Sequence, residues 1–212
     1  MKIQALSLCC ALSFTGIPDT RAAVMVSNLN EQALNDDGWG VLPSQWTGMS
    51  FTVGNASPLW NLDSVDIRAF RGGLGNDFNV TLHEDAGGLP GAPVVILLGP
   101  DPQASPIVDN YNYSPTAATA LNAGATYWIT VSSLAGNYAW VFTDPLSTND
   151  TGTDGWGIGD NVVFSTNQGA TWQAYSYEPS MFAVHATAVP EPSAILIAGL
   201  AAAGLRLRRR RD

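Results

Sequence analysis

The chain has 212 residues, with 18 acids against 9 bases and a formal charge of −9. Most of the bases sit at the two ends, so the stretch from Val24 to Ala188 sets fifteen acids against Arg68 and Arg71 and carries a local charge of −13. A body this acidic is repelled by phosphate backbones, which excludes nucleic-acid binding. With 46% hydrophobic residues, 13% charged, 21 Gly and 13 Pro, the composition suits a turn-rich β protein and excludes both a disordered acidic tail and a helical bundle.

The first residues read as an export signal. Lys2 supplies a positive start, and Ile3 to Phe14 is mostly apolar but too short to span a bilayer. Thr20-Arg21-Ala22 places small residues where a signal peptidase cuts, after Ala22 or, alternatively, Ala23, and Pro18 breaks a helix just before that site. A buried N-terminal helix is the competing reading, and the order charge, apolar run, small residues favours the signal. Cys9 and Cys10 are the sole cysteines, and Leu8 before Cys9 argues against a lipoprotein box. Residues 1–22 are thus expected to form a signal helix, threaded by the Sec translocon and removed by signal peptidase. The remainder, free of cysteine, must rest on its hydrophobic core.

One domain is expected over residues 23–188. Period-two alternation marks its strands. Val65, Ile67 and Ala69 alternate with Asp66 and Arg68; Phe78, Val80 and Leu82 with Asn79, Thr81 and His83; Tyr127, Ile129 and Val131 with Trp128, Thr130 and Ser132. Phe182, Val184 and Ala186 form a last strand, and the continuous apolar run Pro93 to Leu98 predicts a central buried one. Further strands are expected near Trp46 to Val53, Tyr138 to Thr143, Val162 to Ser165 and Thr171 to Tyr175. Gly-Gly, Pro-Gly, Asn-Ala-Gly and Asn-Gln-Gly turns lie between them. About ten short strands at such spacing predict an all-β fold, an antiparallel β-sandwich of jelly-roll kind.

Candidate chemistry is sparse. Asp150-Thr151-Gly152-Thr153-Asp154-Gly155 has the spaced acids and sixth-position glycine of a calcium loop, and Asp160 can add an oxygen, but Asn161 stands where a bidentate Glu is needed. Calcium at Asp150, Asp154 and Asp160 therefore competes with a plain polar turn, and no other cofactor is expected. Asn35-Asp36-Asp37-Gly38-Trp39-Gly40 is echoed by Thr153-Asp154-Gly155-Trp156-Gly157, as a faint duplication, as two equivalent loops, or by coincidence. Trp39 and Trp156, each between glycines and beside acids, are the expected exposed rings for weak glycan contact, while most of the seven tryptophans fill the core. His83 is expected as a solvated residue at a hairpin, and His185 as a packed or half-exposed strand residue. No nucleophile elbow, zinc-protease helix or phosphate loop occurs, so no catalytic residue is assigned and an enzyme is not expected.

The tail is the most informative segment. Val189-Pro190-Glu191-Pro192-Ser193 precedes an apolar run, Ala194 to Leu205, and a cationic end, Arg206, Arg208, Arg209, Arg210 and Arg211. As a helix the run covers about 18 Å against a hydrocarbon core of about 30 Å, a marginal span. The arginines hold the C-terminus on the cytoplasmic side and leave the domain outside. Pro190 and Pro192 stop the helix and keep Glu191 extended, the form a protease grips. An ordinary anchor that stays uncut is the alternative.

This order of parts resembles the PEP-CTERM sorting signal of Gram-negative bacteria. The resemblance implies that residues 189–212 are recognised through Pro190, Glu191 and Pro192 by a membrane-embedded exosortase, with the arginines orienting the tail. It further implies removal of the tail and delivery to the cell surface or an exopolysaccharide matrix. The hairpin Val80 to Val94, with its Gly-x-Pro-Gly turn, and Leu121 to Ile129, with a glycine turn before an aromatic strand, resemble the exported choice-of-anchor β-sandwich domains, type R above all. That second resemblance implies a fold and a place, not a reaction. The function expected is a non-enzymatic surface or matrix protein; the alternative is a module binding a carbohydrate or a partner protein, with or without calcium.

Overall fold

The structure, a computed structural model, describes residues 22–144 and 151–190. Among the described residues it is all-β. The chain runs through β1 (Ala23–Ser27), β2 (Ala33–Val41), β3 (Trp46–Thr52), β4 (Leu59–Arg71), β5 (Asn79–Asp85), β6 (Pro90–Leu98) and β7 (Asp109–Pro115). It continues through β8 (Ala120–Asn122), β9 (Thr126–Ser132), β10 (Tyr138–Thr143), β11 (Thr151–Gly152), β12 (Gly157–Ser165), β13 (Gln173–Tyr175) and β14 (Phe182–Ala188). The signal segment 1–21, the apolar run 194–205 and the arginine end lie outside the described residues. Among those described, no helix is long and apolar enough to cross a membrane.

Pairing between these strands is antiparallel and forms one open path, β11-β1-β14-β4-β7-β6-β5-β9-β3-β12-β13, with β8 and β10 added to β4 and β2 to β10. Within the path the link between β6 and β7 is narrow, with only the pairs Leu97↔Pro115 and Leu98↔Ser114, as few as join β11 to β1 at its end. Strands on either side of this seam contribute to a single core: Val65, Ile67, Tyr113 and Phe182 from one run meet Phe51, Val80, Leu82 and Ile129 from the other. Alternation explains which side chains enter it. On β5 Val80 and Leu82 are fully buried while Asn79 is exposed, and on β4 Val65, Ile67 and Ala69 are buried between half-exposed Asp66 and Arg68.

β9 is buried on both faces. Tyr127, Ile129 and Val131 join the main core, whereas Trp128 joins Val163 and Trp172 in a smaller cluster on the other face, with Trp46 and Leu89 against it. The Trp128 indole N–H donates to Asp85 Oδ1 at 2.7 Å, tying down the acidic hairpin turn. In that turn Gly87 and Gly88 take φ of +71° and +84°, and the Gly88 amide donates to the Asp85 carboxylate at 3.1 Å.

Two sequence expectations are corrected. The apolar run Pro93 to Leu98 is not a central buried strand: of β6 only Pro90 and Leu97 are buried, and Val94, Ile96 and Leu98 are exposed. β6 sits at the seam, paired along β5 but reaching β7 only at its end, so its outer face has nothing to pack against. The segment Asn35 to Gly40 is not a loop but the middle of β2, paired to β10 with Trp39 opposite Trp140.

Candidate functional site

Trp39 is held rather than displayed. From β2 its ring packs on Phe142 at 4.6 Å between centroids, meets Phe164 edge-on at 5.4 Å and stacks on Tyr177 at 5.2 Å. The indole N–H donates to the Glu178 carbonyl at 3.1 Å, which fixes the ring plane. Tyr177 in turn stacks on Tyr175, 5.3 Å away and within 7° of parallel. Both tyrosines are exposed, by 47% and 37%. A ladder of three aromatic rings thus runs from the half-buried Trp39 out to solvent.

The β12–β13 hairpin builds the opposite wall. Phe164 and Gln173 are cross-strand partners, as are Val162 and Tyr175. The connecting turn is stiffened by Asn167, whose Oδ1 accepts from the Thr171 amide at 2.9 Å, and by Ser165 Oγ, which accepts from the Gly169 amide at 2.8 Å. Gln168 and Gly169 carry the positive φ values, 56° and 81°. Between hairpin and ladder lies an open cavity of 340 Å³ lined by Trp39, Gln45, Phe164, Thr166, Thr171, Gln173, Tyr175 and Tyr177. No charged side chain is among these. The Tyr175 hydroxyl donates to Gln173 Oε1 at 2.7 Å, leaving the Gln173 amide hydrogens uncommitted. Gln45 Nε2 donates to the Gly40 carbonyl at 2.9 Å, leaving its carbonyl oxygen to accept.

Trp156 is not a partner of this site, correcting the expectation of a second exposed ring. It is 4% exposed, stacks on Phe51 at 6.1 Å and meets Trp60 edge-on at 5.4 Å. Asp154 and Gly155, at φ +52° and +86°, turn the chain so that the ring enters the core. There it lies so close to Gly54 that a Cβ at that position would come within 2.3 Å of it. The two Asp-Gly-Trp-Gly segments are therefore not equivalent loops. Tyr175 and Tyr177 are the functional candidates the sequence reading passed over; their i, i+2 spacing at the end of a strand was the available signal.

Of the calcium candidates, Asp154 and Asp160 do not line this cleft. Asp150 lies outside the described residues. Asp154 is an exposed turn residue whose carbonyl accepts from the Asn55 amide at 3.1 Å, and Asp160 is exposed on β12. Among the described residues no group of three or more His, Cys, Asp or Glu is placed to hold a metal ion.

The histidines are both engaged. His83 is not solvated, as the sequence suggested, but half-buried, with Nδ1 2.9 Å from the Gly91 carbonyl and Nε2 3.1 Å from Thr130 Oγ1. Burial depresses its pKa below 6.5, partly opposed by the Gly91 carbonyl. His185 is half-exposed, as expected, and contacts Asp66 Oδ2 at 2.7 Å, while Asp66 Oδ1 accepts from Asn112 at 2.7 Å.

At the end of β14 the domain passes directly into the sorting segment. Ala188 still pairs with Trp60, the Val189 amide donates to the Leu59 carbonyl at 3.0 Å, and Ser57 Oγ donates to the Val189 carbonyl at 3.4 Å. Pro190 follows, exposed and without an amide hydrogen. Glu191, Pro192 and Arg206, Arg208, Arg209, Arg210 and Arg211 lie outside the described residues. A protein-family profile described as the PEP-CTERM protein-sorting motif matches residues 188–211. The chain therefore carries a sorting signal of that type, which indicates an exported protein processed by an exosortase. No curated protein matches the chain.

Proposed function

We propose that this protein is an exosortase cargo with a non-enzymatic structural or binding role at the cell surface or in an exopolysaccharide matrix. The observation that carries the reading is the sorting motif at residues 188–211, which begins on the last strand of the folded domain. In this reading residues 1–22 direct export through the Sec translocon, the apolar run and arginines hold the tail in the membrane, and cleavage at Pro190, Glu191 and Pro192 frees the domain. The two runs of strands that share one core support a two-layer sandwich of jelly-roll kind, and the Asp85 to Gly91 hairpin supports its likeness to the choice-of-anchor domains. The acidity of the domain keeps it dispersed among like-charged chains.

Replacing Pro190, Glu191 and Pro192 together by alanine tests the sorting step. Intact-mass measurement of the protein recovered from each cell fraction is expected to find the variant at full C-terminal length in the inner membrane and the wild type shortened outside it. Normal shortening and release of the variant overturn the reading.

A further inference from the structure

We propose that the cleft between β2 and the β12–β13 hairpin binds a neutral glycan whose sugar rings carry equatorial hydroxyls. Tyr175, the outermost ring of the ladder, provides the stacking face, Tyr177 backs it and offers its exposed edge, and Gln45 and Gln173 provide the hydrogen-bonding amides. The inference rests on the surface-or-matrix reading above and gives it a ligand.

Four features of the cleft select that ligand. A pyranose with equatorial hydroxyls presents a flat face of C–H groups and a polar rim, so it needs an aromatic surface beside neutral donors and acceptors. The cleft joins the exposed rings of Tyr175 and Tyr177 to two amides and the hydroxyls of Thr166 and Thr171. The amides are complementary: Gln173 has one lone pair taken by the Tyr175 hydroxyl and both amide hydrogens free, while Gln45 has one hydrogen taken by the Gly40 carbonyl and its oxygen free. A vicinal pair of hydroxyls, each both donor and acceptor, satisfies both. At 340 Å³ the space is at the small end of ligand sites, which run from about 300 to about 1,000 Å³.

The surroundings argue against the competing ligands. An anionic glycan would meet no cation in the lining and a domain with a local charge of −13. A proline-rich peptide also docks on aromatic grooves, but its prolines present carbonyls without amide hydrogens, so it can use the Gln173 hydrogens and leaves the Gln45 oxygen without a donor. The Trp39 indole N–H is committed to the Glu178 carbonyl. The same bond, with the Asn167-stiffened turn, holds the cleft in shape before any ligand arrives, which lowers the ordering cost of binding.

The test uses the full chain purified in a zwitterionic detergent free of sugar, titrated by calorimetry with cellohexaose, hexagalacturonate and hexaproline. Cellohexaose is expected to bind with a Kd of about 1 mM or tighter, and the other two to give no heat. Tyr175→Ala, Tyr177→Ala and Gln173→Ala should each weaken it about three- to tenfold. All three side chains are exposed, so the melting temperature should hold, and Tyr177→Phe, which keeps the ring, should retain affinity. Silence with cellohexaose, binding untouched by these variants, or preference for either competitor overturns the proposal. Because the measurement is made on purified protein, a failure here leaves the sorting result standing, and a failure of sorting leaves this result standing.

Discussion

Trp39 and Trp156 sit in the same four-residue sequence, Asp-Gly-Trp-Gly, and meet opposite fates. Gly38 serves close packing: a Cβ there would lie 2.8 Å from the Trp140 carbonyl oxygen, so glycine lets β2 approach β10. Gly155 serves a positive φ, turning the chain so that Trp156 faces inward. The letter G marks both uses and separates neither, which is why exposure of both rings was the natural expectation. His83 shows the same limit, since alternation places it on the outer face but not under Gly91 and Thr130. A carbonyl only accepts, so Nδ1 carries the hydrogen toward Gly91, while Thr130 Oγ1 lies within reach of both Nε2 and the Thr81 carbonyl. Burial makes the native ring resist a second proton that the unfolded chain accepts near 6.5. Between that value and the lower native one the unfolded state binds more protons, so stability falls as pH drops through the window. The melting temperature of wild type is expected to decline more steeply than that of His83→Gln as pH falls below 6.5; parallel slopes would remove His83 from the account. Asp77 contributes at lower pH. Burial works to raise its pKa, but hydrogen bonds from Ser133 and the Leu134, Ala135 and Gly136 amides outweigh it and hold the group below 3.8, so its contribution is lost only as pH falls beneath that value.

At the scale of elements, strands were legible where one face meets the core and the other meets water. β4, β5 and β14 announce themselves by alternation, and β10 falls on the expected residues, Tyr138–Thr143. β7 was passed over because its sequence, Asp109–Pro115, is dominated by polar residues, although Tyr111 and Tyr113 alternate inward. β6 failed in the other direction. A run of apolar residues reads as a strand buried on both faces, but burial of the second face depends on what the chain brings over it, and nothing in Pro93 to Leu98 encodes that. The contrast within β6 can be measured. Leu97, 2% exposed, should cost about 2 to about 5 kcal/mol when cut to alanine. Ile96, 54% exposed, should change stability by no more than about 0.5 kcal/mol when replaced by threonine, which keeps the branched β-carbon that strands favour. Denaturant titration of the two variants gives both numbers. Comparable losses would mean that the outer face of β6 is covered in solution.

For the whole molecule, the arrangement of address and cargo was legible from the tail's order of parts, while their spacing was not. The matched motif starts at residue 188, inside β14, so the sorting signal and the last strand overlap. Val189 is still bound to Leu59 and Ser57, and the exposed Pro190 is the next residue. A membrane-embedded protease that needs extended backbone around Glu191 must then work against the folded end of the domain, or wait for that end to fray. Terminal hydrogen bonds of this kind contribute about 0.5 to about 1.5 kcal/mol each, so releasing one costs a factor of about two to ten in the open population. Inserting Gly-Ser-Gly-Ser between Val189 and Pro190 removes the requirement while keeping β14 and the sequence from Pro190 onward intact. Pulse-chase labelling should show the extended protein shortened about two- to tenfold faster than wild type, with the same final product outside the membrane. An unchanged or slower rate would place the limiting step elsewhere, in entry of the tail into the membrane or in its capture by the protease, and would leave the short reach between strand and motif without kinetic consequence.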